Sequence, residues 1–143
     1  MIRTAATPRH LWIIAVVTLL WNLMGAFDYL MTQTENVQYL SQFTQEQLDY
    51  YHGIPTWFEV FWALAVWGAV VGSILLLLRR SLALPVFAVS FISMVITAVY
   101  SYGFSNGYEL MGAGGFMFSL AIFVVALFLV LYSRAMAMRG VLG

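Results

Sequence analysis

The sequence predicts an all-α membrane protein. Four spanning helices form a bundle with both termini on the cytoplasmic side, and a short amphipathic helix occupies the long outer loop between spans 1 and 2. Three observations predict it. Of 143 residues, 63% are hydrophobic and only 8% charged, against about 25% charged in soluble domains. Four apolar runs, at about 11–30, 56–78, 82–102 and 112–132, reach the roughly 20 residues that crossing a bilayer requires. Finally, the charges sort by side. Arg3, Arg9, Arg79, Arg80, Arg134 and Arg139 all fall on one side of a four-pass topology, which the positive-inside rule assigns to the cytoplasm. Asp28, Glu35, Glu46, Asp49, Glu59 and Glu109 all fall in the other half, with every tyrosine except Tyr132.

One integral membrane domain, 1–143, accounts for this length. The first apolar run is longer than the 7–15 residues of a signal-peptide core and no A-x-A-like site follows it, so it is expected to persist as a span. Cysteine is absent, which excludes disulfides, thiolate metal sites and thiol catalysis. Zero net charge argues against nucleic acid as a partner.

Each span carries a stripe of small or polar residues, the surface on which membrane helices approach closely and exchange hydrogen bonds. In span 1 the stripe is Ala15, Thr18, Asn22, Gly25, Ala26 and Tyr29. Asn22 lies at its centre and needs a partner, expected among the Ser and Thr hydroxyls of span 3; otherwise it contacts a ligand in the bundle core. Asp28 lies about 110° from that stripe at 100° per residue, close to the outer end of the span.

The loop 31–55 contains Thr44-Gln45-Glu46-Gln47, a capping-box pattern, and Gly53 before Pro55, a stop. A helix from about Gln45 to His52 follows. Leu40, Thr44, Leu48 and Tyr51 share one of its sides, and Glu46, Asp49 and His52 the other. The spacing Asp-x-x-His can bring two metal ligands together, so Glu46, Asp49 and His52 are weak metal candidates; the competing reading is a solvated face.

Span 2 opens on Thr56-Trp57-Phe58-Glu59, again a capping-box pattern, and an acid in a first turn is favoured by the helix dipole. Its small stripe is Ala65, Gly68, Ala69 and Gly72, where Gly68 and Gly72 form a GxxxG match that serves helix packing or an outward-facing dimer contact. Span 3 contributes Ser90, Ser93, Thr97 and Ser101, and span 4 Gly112, Gly115, Ser119 and Ala126. Gly112-Ala113-Gly114-Gly115 has no basic neighbour and reads as packing. Glu109 precedes span 4 and has the same dipole explanation as Glu59.

Trp12 and Trp57 suit the interfaces, whereas Trp21, Trp62 and Trp67 lie inside spans, where indole rings pack or wall a pocket. No nucleophile–base pair, phosphate-cradling glycine loop or dinucleotide motif appears, so no cofactor is predicted and a non-enzymatic role is favoured over an enzymatic one.

The segments Trp21-Asn22, Gly25-Ala26-Phe27-Asp28-Tyr29, Met31-Thr32-Gln33-Thr34, Trp62-Ala63, Val66-Trp67-Gly68 and Gly72-Ser73, with the Leu-rich run into Arg79-Arg80, cover about half the chain. In these it resembles a family of small uncharacterised bacterial four-span inner-membrane proteins often labelled "sugar transporter". The resemblance implies a bacterial inner-membrane location.

Three functions fit. The first is non-enzymatic binding or transport of a small molecule or lipid at the outer end, with Asn22, Asp28, Tyr29, Glu59, Tyr100, Tyr102 and Glu109 as ligand-binding candidates. Transport through so small a bundle calls for a homodimer. The second is an accessory or assembly subunit of a larger membrane complex. The third is a lipid-modifying membrane enzyme using the outer-face acids.

Overall fold

The computed structural model describes residues 5–143, so Arg3 lies outside the described residues. Six helices follow one another: α1 (Arg9–Gln33), α2 (Val37–Leu40), α3 (Gln45–His52), α4 (Thr56–Leu77), α5 (Ala83–Gly103) and α6 (Gly107–Met138). Among the described residues the fold is all-helical. Four helices, α1, α4, α5 and α6, are long and apolar enough to cross a membrane.

Contacts run antiparallel along every seam. Asn22 of α1 meets Ala69 and Ser73 of α4, and Tyr29 meets Trp62. Ser90 of α5 donates to the Ala65 carbonyl of α4, while Phe58 of α4 meets Tyr100. Tyr102 of α5 pairs with Ser119 of α6, and Phe91 with Phe123. Packing thus passes from α1 to α4, from α4 to α5 and from α5 to α6. The α1–α6 seam is closed by side chains such as Trp21 against Phe118 and His10 against Tyr132.

The GxxxG match is consumed within the chain. A Cβ on Gly68 would lie 3.0 Å from Ser90 Cβ, and one on Gly72 would lie 2.6 Å from the Phe87 ring. These glycines let α5 approach α4; Gly72 is buried in that seam, and Gly68 also lines a groove along the two helices. Gly25 of the first stripe, by contrast, has open space where its Cβ would be.

The core gathers at one end. Leu11, Ala15, Leu76, Ala83, Phe87, Leu129, Met136, Ala137, Val141 and Leu142 form one buried cluster there, beside Arg79. The segment after α6 lies across this end. Ser81 donates to the Gly143 carbonyl (2.7 Å), Gly143 donates to that of Arg79 (2.8 Å), and Ala5 donates to that of Gly140 (3.0 Å). Arg79 also reaches the Thr7 hydroxyl and lies over the Trp12 ring. Span 4 therefore buries Leu129, Ser133, Met136 and Ala137 most deeply, with Ser119 the member of its small stripe that bonds α5, and it runs on to Met138, beyond residue 132.

Three helices end in the same device. The residue after the C-cap is left-handed, and it and its successor donate back to carbonyls of the last turn. At α6 that residue is Gly140, but at α1 it is Glu35 (φ 53°) and at α4 it is Arg79 (φ 58°). A side chain in this region costs about 1–2 kcal/mol. Both side chains are used, Arg79 as described and Glu35 at the opposite end.

α6 is broken near its start. Gly112 has φ 71° and ψ −173°, a region open essentially to glycine alone. The break brings Met111 over Gly115, where a Cβ would come within 2.6 Å of Met111 Cβ, whereas Gly114 faces open space. The glycine-rich run expected only to pack thus chiefly makes a kink.

Candidate functional site

Opposite the dense core, at the end that carries the acids, the helices part. α3 begins at the capping box read from the sequence: Thr44 Oγ1 accepts from Gln47 N–H and Gln47 Oε1 accepts from Thr44 N–H, both at 3.1 Å. The helix is tied down on its far side, where Gln47 donates to the Leu110 carbonyl and Tyr50 bonds Ser105 (2.8 Å). Its inner side, Leu48 and Tyr51, together with Leu40 of α2, roofs a chamber of about 220 Å³. Walls and floor come from Thr32, Gln33, Glu35, His52, Glu59 and Trp62.

His52 Nε2 lies 3.2 Å from Glu35 Oε1, so the left-handed turn after α1 delivers a carboxylate to the end of α3. His52 was expected on the solvated face; it is exposed, yet it also lines the chamber. Among the described residues no three His, Asp or Glu side chains converge into a metal-binding group. Glu46 is exposed and Asp49 accepts from Gln45 (2.9 Å), so the metal candidates Glu46, Asp49 and His52 are not assembled.

A second cavity opens from the same wall. It is an apolar groove of about 770 Å³ along α4 and α5, lined on α4 by Thr56, Glu59, Ala63, Trp67 and Val71, on α5 by Val86 and Val89 and just before it by Leu82, with Tyr29 reaching across from α1. Glu59 lines both cavities. Spacing explains this: Glu59, Trp62, Ala63 and Trp67 share one face of α4. Aromatic rings stand at the junction. Tyr29 meets Trp62 edge-on at 4.9 Å and Trp67 at 6.2 Å, and Tyr51 stacks on Trp62 at 6.3 Å.

The expected Thr56–Glu59 capping box does not form. Pro55 is the N-cap of α4 and no side chain caps it, because the helix starts one residue earlier than the pattern requires. Glu59 keeps the favourable dipole position but has no hydrogen bond or ion pair among the described residues.

Asp28 accepts a short hydrogen bond from the Tyr39 hydroxyl, which fastens α2 against α1. Partial burial, then that bond and the Asp28 charge, push the Tyr39 phenol well above its ordinary pKa, so it remains a neutral donor. Burial, followed by the Asp28 charge, does the same to Tyr51. Phe27, Tyr39, Phe43 and Tyr51 touch in series, making the roof an aromatic strap.

Of the seven ligand candidates, only Tyr29 and Glu59 are brought together. Asn22 donates to Ser73 Oγ (2.8 Å) and the Ala69 carbonyl (3.2 Å), so its partners are on α4 and not on span 3. Tyr100 packs on Trp57 and Phe58, Tyr102 bonds Ser119, and Glu109 is exposed on the first turn of α6. Asn22→Leu should cost about 0.6–2 kcal/mol, since Ser73 still donates to Ala69. A thermal melt in micelles checks this; an unchanged midpoint would show the amide contributes nothing.

Trp62, Tyr51 and Leu48 carry the site but were not singled out as ligand contacts. The signal was present in the face Glu59, Trp62, Ala63, Trp67, which pairs an acid with two indoles at helical spacing. No protein-family model matches the chain, and no curated protein or solved structure shows significant similarity to it.

Proposed function

We propose that this is a non-enzymatic bacterial inner-membrane protein that binds, or passes, a small amphiphilic or lipidic molecule at the acid end of its bundle. One observation carries the reading: a polar chamber and an apolar groove share the Glu59 wall. A molecule with a polar head and an apolar tail fits that pair of cavities, and neither cavity alone calls for it. The arginines at the opposite end support a cytoplasmic position for it by the positive-inside rule. The head then sits on the outer side beneath α2 and α3, and the groove faces lipid, the source from which such a molecule arrives.

Native mass spectrometry of the protein extracted in mild detergent tests this. About one lipid-like adduct per chain is expected, and Ala63→Phe, which fills the groove beside Glu59, should remove it. Identical adducts in both proteins would overturn the reading.

A second reading, an accessory subunit of a larger complex, is favoured by α6. Only 6% of its most apolar window is buried, against 22% in each other span. A large partner retained in stoichiometric amounts on α6 in mild detergent would support that reading.

A further inference from the structure

The chamber and groove together define the chemistry of the head as well as the existence of the tail. We propose that the site takes a cationic amphiphile: an alkyl chain in the α4–α5 groove ending in an amine or quaternary ammonium that sits against Glu59 and the Trp62 ring. This rests on the amphiphile reading above.

The first support is charge. The sequence has no Lys or Arg between Arg9 and Arg79 or between Arg80 and Arg134, so the one side chain at this end that can carry a positive charge is His52, already engaged by Glu35. A phosphate, sulfate or carboxylate head would meet Glu35 and Glu59 with no guanidinium or ammonium to pair with, at a cost that grows as water is excluded. The two acids are not equivalent. Glu35 already has His52 at 3.2 Å, whereas Glu59 has no partner among the described residues. Glu59 is the carboxylate left for a ligand.

The second support is the ring geometry. Tyr51 and Trp62 stack with 21° between their planes, and Tyr29 stands edge-on to both Trp62 and Trp67. Aromatic faces beside a carboxylate are how proteins recognise ammonium groups, with Trp the strongest ring. A trimethylammonium needs one carboxylate and ring faces, and those are what the shared wall supplies.

The third is dimension. From Glu59 to Val71 the groove follows twelve residues of α4, about 18 Å at 1.5 Å per residue. That is the reach of an alkyl chain, not of a head group.

The test uses the full chain in decyl maltoside micelles, which provide a neutral chain as constant competitor. Dodecyltrimethylammonium, dodecyl sulfate and dodecanol are each titrated at concentrations far below that of the micelles, with protein-free micelles as the blank. Saturable binding near one per chain is expected for the ammonium, at least 10-fold tighter than for the sulfate or the alcohol. Glu59→Gln, which keeps shape and removes charge, should weaken it at least 10-fold, and Trp62→Leu more than Trp62→Phe. Glu109→Gln, at the same end but outside both cavities, should leave it unchanged. Equal binding of the sulfate, or an unaltered affinity in a folded Glu59→Gln variant, overturns the cation assignment and leaves the amphiphile site standing. No saturable binding by any of the three probes overturns both.

Discussion

Gly72→Leu should lower the thermal midpoint of the protein in micelles by several degrees, while Gly25→Leu should not. Both are glycines on small stripes of their spans, but only one is occupied. A Cβ at Gly72 falls 2.6 Å from the Phe87 ring, whose residue is 2% exposed within the cluster that includes Leu76 and Ala83. The ring has nowhere to move, so α5 must be pushed off α4. Overpacking of this kind costs about 1–3 kcal/mol. At Gly25 nothing lies within 4 Å and the added side chain meets lipid. Circular dichroism melts of the two variants decide the matter: equal midpoints would mean that the α4–α5 seam is not set by Gly72. If Gly72 instead mediated a dimer, the variant would lose mass on a sizing column and keep its midpoint.

Leu142→Ala should be nearly as damaging, although position 142 lies outside every helix. The side chain is fully buried among the residues of the core cluster. Leu-to-Ala changes in such places cost about 2–5 kcal/mol. The effect should spread beyond the cavity. Segment 140–143 supplies the backbone partners of Ala5, Arg79 and Ser81, and Arg79 is held left-handed in the turn after α4. Loosening that segment should expose the turn, so trypsin should cut after Arg79 or Arg80 markedly faster in the variant. Unchanged cleavage together with an unchanged midpoint would show that the segment is not part of the fold's stability.

The spans were legible because hydropathy over about 20 residues integrates many side chains, and because arginines and acids sort to opposite ends. The helix Gln45–His52 was legible from one local hydrogen-bond pattern, Thr44 with Gln47. What was not legible had a common cause: it depended on which face meets which. The amide of Asn22 announces that it needs a partner but not that Ser73, rather than a span 3 hydroxyl, stands opposite. The left-handed turns after α1 and α4 carry Glu35 and Arg79 where glycine is the usual signal, so nothing local marked them. The capping box at Thr56 failed because Pro55 supplies the extended residue before the helix, leaving Thr56 inside it. At the candidate site, Glu59 was visible but its company was not. Tyr51 and Trp62 are eleven positions apart and meet only because α3 folds back over the end of α4.

The break at Gly112 separates the turn of α6 that holds the roof from the length that packs along α5. Both bonds from α3 to the last span's side, Gln47 to Leu110 and Tyr50 to Ser105, land before that glycine, and Gly107 is pressed against the Ser101 carbonyl, where a Cβ would lie at 2.5 Å. The roof is thus bolted to α5 and to the first turn of α6, while α6 beyond Gly112 is held by its own contacts, Ser119 with Tyr102 and Phe123 with Phe91. A load that lifts the roof is delivered to α5, and it reaches the long shaft beyond Gly112 through the α5 side chains packed on it and not through any bond from the roof.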